Sequence, residues 1–281
     1  MKNILVPTDF SEISDYGLYV AAQIAKKASA HIHLINLIEP PLGNTFSVTG
    51  DVTKTYAHGE DIYVAELMRV NTSKITKIAE IHAKDGIKII PVVRVEPWQE
   101  GIKEYIDTHH IDMVVMGTSG ESSLDEFFVG NHTEQVIRVS YKPVLTVRDY
   151  YPDFKLKNII LAVDFDNKTY EAMAQINNLA RIFNASLHLL HVRDTDDDKL
   201  SKDEAKLRDI AEKYHLTNYT LHSIKHSDEV EGIRKFSRAN NADVIALISH
   251  ARSGFSKLFR GSIAEDLIKE AKTPVLTVHM D

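Results

Sequence analysis

Residues 2–10, KNILVPTDF, recur almost unchanged as residues 157–165, KNIILAVDF. The same offset of 155 sets His33-Leu34 on His188-Leu189. Later in the chain PVLTV at 143–147 returns at 274–278, an offset of 131. That offset also superposes Glu100-Gly101-Ile102 on Glu231-Gly232-Ile233, Asp112 on Asp243 and Gly130 on Gly261. The offsets differ by 24, so the first copy carries about 24 residues that the second lacks, somewhere within 39–66. A repeat this long is a duplicated domain rather than a solenoid, whose period is about 20–50 residues. The units are 1–148 and 157–281, joined by the polar-aromatic linker 149–156, DYYPDFKL.

Each copy alternates strand and helix. Ile4-Leu5-Val6 is the short apolar run of a strand buried on both faces. Residues 13–28 place Ile13, Gly17, Val20, Ala21, Ile24 and Ala28 on one helical stripe. Further strands are expected at 31–38, 87–95 and 111–116, with helices at 61–84 and 98–109. A helix follows Asn131, and Pro143 opens a fifth strand. The second copy repeats the order, with strands near 158–163, 186–192, 218–224, 243–248 and 275–278. Five strands with helical crossovers make a doubly wound parallel sheet in each unit. Such sheets bind ligands at the carboxyl ends of their strands, where the strand order reverses.

Composition narrows the function. Hydrophobic residues are 43% and charged residues 26%, the balance of a globular protein rather than a disordered one. Cysteine is absent, which removes disulfides, cysteine-ligated metals and thiol nucleophiles, and fits a reducing cytoplasm. A net charge of −7 lacks the footprint of nucleic-acid binding. No apolar run approaches the roughly 18 residues of a membrane span. The acidity is uneven: residues 1–150 hold 14 Lys/Arg against 20 Asp/Glu, and residues 151–281 hold 19 against 20, so the two copies have diverged on their surfaces.

The chemistry lies in the loop after the fourth strand, Met116-Gly117-Thr118-Ser119-Gly120, followed nine residues later by Gly130-Asn131-His132-Thr133. Glycine lets backbone N–H groups approach an anion, and a helix N-terminus offers unpaired donors and partial positive charge. Asn131 reads equally as an N-cap. The spacing Gly117-x-x-Gly120-x9-Gly130-Asn131, with Val6-Pro7-Thr8-Asp9-Phe10-Ser11 on the first strand and PVLTV at the end, resembles the universal stress protein family over nearly the whole chain. The family's ATP-binding members carry Gly-x-x-Gly-x9-Gly-Ser/Thr. The resemblance implies two tandem α/β, Rossmann-like domains of the adenine nucleotide alpha hydrolase type, each a five-stranded parallel sheet flanked by helices. It also implies a fused pair in which 143–147 meets 274–278 across an internal pseudo-two-fold, and leaves open whether that pair dimerises again.

Carried over residue by residue, the resemblance puts Pro7, Asp9 and Leu37 at the adenosine end of an adenine nucleotide. Met116, Gly117 and Gly120 would wall the ribose and α-phosphate, and Gly130, Asn131, His132 and Thr133 would hold the outer phosphates. Asn131 departs from the family's Ser/Thr. Asp9 is as suited to ordering magnesium on ATP as to a ligand hydroxyl or a turn. His132 pairs with phosphate when protonated, or is an ordinary first-turn residue. On this reading Gly117→Val or Gly130→Val abolishes ATP binding and leaves the fold intact.

The second copy has lost both early glycines, to Ile248 and Ala251, while Gly261-Ser262 and Asp164 remain; it is expected to bind nucleotide weakly or not at all. Arg252, Lys257 and Arg260 read as a solvated basic loop. No P-loop, dinucleotide fingerprint or Gly-x-Ser-x-Gly occurs, so no catalytic residue is assigned and slow ATP hydrolysis is the upper bound on activity. The histidines show no metal-ligand spacing and read as scattered surface residues; no metal site is assigned to the protein. The extra stretch 39–66 is a lid, a partner surface or a surface excursion. The function expected is an ATP-binding stress or signalling adaptor; the rival is a structural or small-molecule module that does not use nucleotide.

Overall fold

The computed structural model describes residues 1–40, 58–119, 129–165, 170–194, 200–250 and 263–280. The first unit runs β1 (Asn3–Pro7), α1 (Glu12–Ala28), β2 (His31–Ile38), α2 (His58–Ala83), β3 (Ile89–Val95), α3 (Trp98–Thr108), β4 (Met113–Gly117), α4 (Val129–Val139) and β5 (Val144–Val147). The second repeats it as β6 (Asn158–Ala162), α5 (Tyr170–Phe183), β7 (Ser186–Arg193), α6 (Leu200–Lys213), β8 (Tyr219–Lys225), α7 (Glu229–Ala239), β9 (Val244–His250), α8 (Ile263–Glu270) and β10 (Val275–Met280).

The strands form one ten-stranded sheet in the order β3-β2-β1-β4-β5-β10-β9-β6-β7-β8. Within each unit the pairs are parallel; β5 and β10 pair antiparallel, with Leu145 opposite Leu276. The two PVLTV segments therefore lie at the centre of the sheet, where Leu145 and Leu276 are fully buried. Unpaired strand edges invite association, and the chain satisfies these two within itself. Because β5 and β10 are antiparallel, the carboxyl ends of the strands in the two units open at opposite ends of the sheet.

Apolar residues on alternate faces of the strands receive different helices. One core joins Ile4, Val6, Ile32 and Leu34 to Val20 and Ile24 of α1 and Ile75 of α2. The other joins Leu5, Ile35 and Val114 to Ile102 and Tyr105 of α3 and Ile137 of α4. α1 starts on an N-cap, Ser11, whose side chain accepts from the N–H of Ser14, and stops at Ser29 in the left-handed conformation. It crosses β4 at van der Waals distance: a Cβ on Gly17 would lie 2.6 Å from the Gly117 nitrogen.

α2, expected at 61–84, spans His58–Ala83, and its 26 residues against 14 in α6 account for about half of the 24-residue difference. Residues 41–57 lie outside the described residues, and the lid reading with them. Contrary to expectation, not all the histidines lie on the surface. His33 is 6% exposed, with Nδ1 2.8 Å from the Tyr105 hydroxyl. Burial, aided by the charges of His109, His31 and Lys88, holds its pKa at about 4. The unfolded chain, with a His pKa of about 6.5, then binds more protons between pH 6.5 and 4. Stability contributed by neutral His33 is full above pH 6.5 and is lost as pH falls toward 4. Denaturant titrations should show a loss on the order of 2 kcal/mol from pH 7 to pH 5 at this residue, and His33→Gln should flatten that slope.

Candidate functional site

In the order β3-β2-β1-β4-β5 the sequence of strand addition reverses between the parallel strands β1 and β4, and a cleft of about 290 Å³ opens there. It is lined by Pro7 at the end of β1, Leu37 on β2, and Met116 and Gly117 on β4. Asp9, Ser11 and Ile13 come from the β1–α1 turn and the start of α1, and His132 from the first turns of α4. The strand order thus gathers residues more than 100 positions apart at the carboxyl edge of the sheet, where a doubly wound fold leaves its crevice.

Hydrogen bonds fix the β1–α1 turn. The Asp9 carboxylate accepts from the Ser11 N–H at 2.9 Å and the Ser11 hydroxyl at 2.6 Å. Partial burial pushes the Asp9 pKa up, but the bonds from Ser11 and Ser14 outweigh it, and the net direction is down. Asp9 is therefore an anion at neutral pH. Phe10 is held in the left-handed region at φ +66°, with its N–H donating to Thr8 Oγ1. A non-glycine residue there costs free energy that the surrounding bonds must offset. Asn36 completes the support: its Nδ2 donates to the Thr8 carbonyl at 2.8 Å, and its Oδ1 accepts from Asn71 of α2 at 2.9 Å.

The opposite wall is aromatic. Trp98 and His132 stack with ring centroids 4.1 Å apart and planes 20° from parallel. Burial lowers the His132 pKa, with Glu39 and Asp9 opposing the shift. Neutral imidazole is then favoured at pH 7, so His132 offers a ring N–H rather than a positive charge. The described lining carries two carboxylates, Asp9 and Glu39, and no Lys or Arg.

Of the residues the sequence pointed to, Pro7, Asp9, Leu37, Met116, Gly117 and His132 meet in this cleft. Gly130 and Asn131 lie within the first turn of α4, which starts at Val129, so Asn131 is a helical residue rather than an N-cap. The first N–H groups of that helix have no partner within it. Thr133 is 3% exposed and is not among the lining residues. Gly120 lies outside the described residues. A Cβ on Gly117 would sit 1.9 Å from the Ile13 carbonyl oxygen, so the approach of α1 demands glycine there, and Gly117→Val does not leave the fold intact as expected. Asn36, Ile13 and Trp98 escaped sequence reasoning. Asn36 carried a signal, as a polar residue in the apolar run HIHLINLI at 31–38. Trp98, the single tryptophan, carried a weaker one.

The family model described as the universal stress protein family matches residues 1–148 and again 155–279. The chain belongs to the universal stress protein family. A universal stress protein of Methanocaldococcus jannaschii is 31% identical over 153 residues, covering 52% of this chain and 94% of its own. A second from the same organism is 27% identical over 149 residues, covering 52% and 82%. The crystal structure of a universal stress protein from Archaeoglobus fulgidus superposes over 99% of this chain and 98% of its own, with a TM-score of 0.73 at 20% identity. One from Pseudomonas aeruginosa covers 99% and 93%, with a TM-score of 0.63 at 16% identity. These two likenesses concern the fold.

The second unit of this universal stress protein carries a different set at the corresponding edge. Where Asn36 stands in the first unit, His191 directs Nδ1 at the Val163 carbonyl, 3.1 Å away. The aromatic wall is replaced by Glu229, whose pKa is raised by burial, with His191 opposing and Asp164 adding to the shift. Ile248, partly buried against the core, takes the position of Gly117. Ala251, Arg252, Lys257, Arg260, Gly261 and Ser262 lie outside the described residues. Among the described residues no three or more His, Asp or Glu side chains are placed to hold a metal ion, and no helix is long and apolar enough to cross a membrane.

Proposed function

We propose that this universal stress protein binds ATP in the cleft of its first unit, 1–148, and acts in the cytoplasm as a nucleotide-dependent stress or signalling adaptor. The second unit, 157–281, reached through the linker 149–156, binds nucleotide weakly or not at all. The carrying observation is the convergence of Pro7, Asp9, Leu37, Met116, Gly117 and His132 on one cleft beside the start of α4. Apolar walls from Ile13, Leu37 and Met116 suit a purine, Asp9 suits the ribose hydroxyls, and the N–H groups at the start of α4 suit phosphate. The cleft offers no nucleophile backed by a base, so slow hydrolysis is the ceiling on its chemistry. The direct test is co-purifying nucleotide, read by absorbance and chromatography, together with the thermal shift on adding Mg-ATP.

The charge of the lining favours a second reading, a small-molecule module that does not use nucleotide. Asp9 and Glu39 repel a bare triphosphate, and no described Lys or Arg offsets them. A divalent cation on the phosphates would neutralise that repulsion beside Asp9. Removing magnesium with EDTA should therefore weaken ATP binding at least about tenfold, or ~1.4 kcal/mol. If neither Mg-ATP nor free ATP binds, the second reading stands.

A further inference from the structure

The two units repeat each other down to single hydrogen bonds. Asp112 accepts from the backbone N–H groups of Lys2 and Asn3, and Asp243 accepts from those of Lys157 and Asn158. Asn3 Nδ2 donates to the His109 and His110 carbonyls, and Asn158 Nδ2 to that of Asn241. The correspondence sets α5 against α1, so that Asn178 answers to Gln23 and Pro143 to Pro274.

On one side of the pseudo-two-fold, the groove between α1 and the start of β10 is filled by the linker. Gln23 Nε2 donates to the Tyr151 carbonyl at 2.9 Å, and the Tyr151 hydroxyl donates to the Lys272 carbonyl. The rings of Tyr151 and Phe154 stand edge-on with centroids 6.5 Å apart, and both pack on the core. An aromatic segment that turns at Pro152-Asp153, with Tyr151 and Phe154 on either side, thus closes this groove.

On the other side, between α5 and the start of β5, the corresponding position is a cavity of about 200 Å³. Met1, Met113, Pro143 and Leu179 give it apolar walls. It is smaller than the roughly 300–1,000 Å³ of pockets that enclose whole ligands, and suits one anchoring side chain. Two amides face it. Gln175 Oε1 is buried without a hydrogen-bond partner. Asn178, standing where Gln23 grips the linker, is exposed and makes no side-chain hydrogen bond among the described residues. Lys142 on the rim is likewise without an ion pair among them.

We propose that this groove docks a peptide turn with an aromatic anchor from a partner protein, as residues 151–154 are held in the pseudo-symmetric groove. The aromatic side chain enters the cavity. A peptide carbonyl accepts from Asn178 Nδ2, and a peptide N–H donates to Gln175 Oε1, satisfying the buried acceptor. Lys142 favours an acidic residue beside the aromatic one, as Asp153 stands beside Phe154. A single buried aromatic anchor is a recurring source of binding energy at interfaces.

The probe is a fluorescein-labelled peptide of sequence DYYPDFKL, residues 149–156, titrated against the full chain and read by fluorescence anisotropy. Saturable binding is expected. Asn178→Ala and Gln175→Ala should each weaken it about three- to tenfold, and a peptide with its aromatic residues changed to alanine should not bind. Gln23→Ala should leave it unchanged. The inference fails if the peptide does not bind at millimolar protein, if Asn178→Ala and Gln175→Ala have no effect, or if Gln23→Ala abolishes binding, which would report displacement of the protein's own linker. Circular dichroism of each variant separates lost binding from lost folding.

Discussion

Gly117→Ala should destabilise the protein by about 3 kcal/mol or more, before any ligand is considered. The methyl group would stand 1.9 Å from the Ile13 carbonyl oxygen and 2.5 Å from its carbon. Neither atom can rotate away, because both belong to the backbone of the first turn of α1. That turn is pinned by the Ser11 cap and the Thr8–Ser14 bond. Overpacking a core costs about 1–3 kcal/mol when side chains can yield; here α1 itself must lift from β4. Calorimetry should show a melting temperature about 10 °C lower. Gly17→Ala should behave alike, since its Cβ would lie 2.6 Å from the Gly117 nitrogen. If Gly117→Ala melts within a degree or two of the parent protein, the packing given for α1 against β4 is wrong. Loss of ATP binding in a Gly117 variant therefore says nothing about phosphate contacts unless folding is measured beside it.

Ile13→Trp should do the reverse, removing the nucleotide and keeping the fold. Ile13 lines the cleft from the first turn of α1 and is only partly buried, so a larger side chain there projects into the opening rather than into the core. Its Cγ2 stands near Gly117, 3.1 Å from where a Cβ there would lie, so the indole must turn away from β4 into the opening. The cleft of about 290 Å³ is already at the small end for a nucleotide, and an indole would occupy a large part of it. ATP affinity should fall at least about a hundredfold, or ~2.7 kcal/mol, with the melting temperature of the free protein unchanged. A folded Ile13→Trp that still binds ATP at parental affinity would move the ligand elsewhere.

Much of the architecture was legible in the sequence because duplication leaves two readings of every element. KNILVPTDF and KNIILAVDF mark the same strand twice, and the PVLTV pair marks the strands that join the units. The pairing of those strands followed from the family resemblance rather than from their composition, which fits an edge as well as a centre. Part of the cleft was legible too, since Pro7, Asp9, Met116 and Gly117 lie at strand ends. What escaped did so for physical reasons. A glycine spacing records where a Cβ is forbidden, not what forbids it, so the helix carbonyl that stands against Gly117 was not legible. Ile13 sits on an apolar helical stripe, and periodicity does not separate the end that faces a crevice from the stripe that faces the core. Trp98 and His132 come from α3 and α4, and their stack is a product of the order β2-β1-β4 that no local pattern encodes. The helix expected at 61–84 begins three residues earlier, at His58, because polar residues there carry no apolar stripe to mark its start.

The central claim is that the cleft of the first unit holds the nucleotide. Isothermal titration of Mg-ATP into the full-length protein tests it most directly. A single saturable site per chain is expected, and it should vanish in Ile13→Trp. No heat of binding, two equivalent sites per chain, or a single site that survives Ile13→Trp would each contradict the claim.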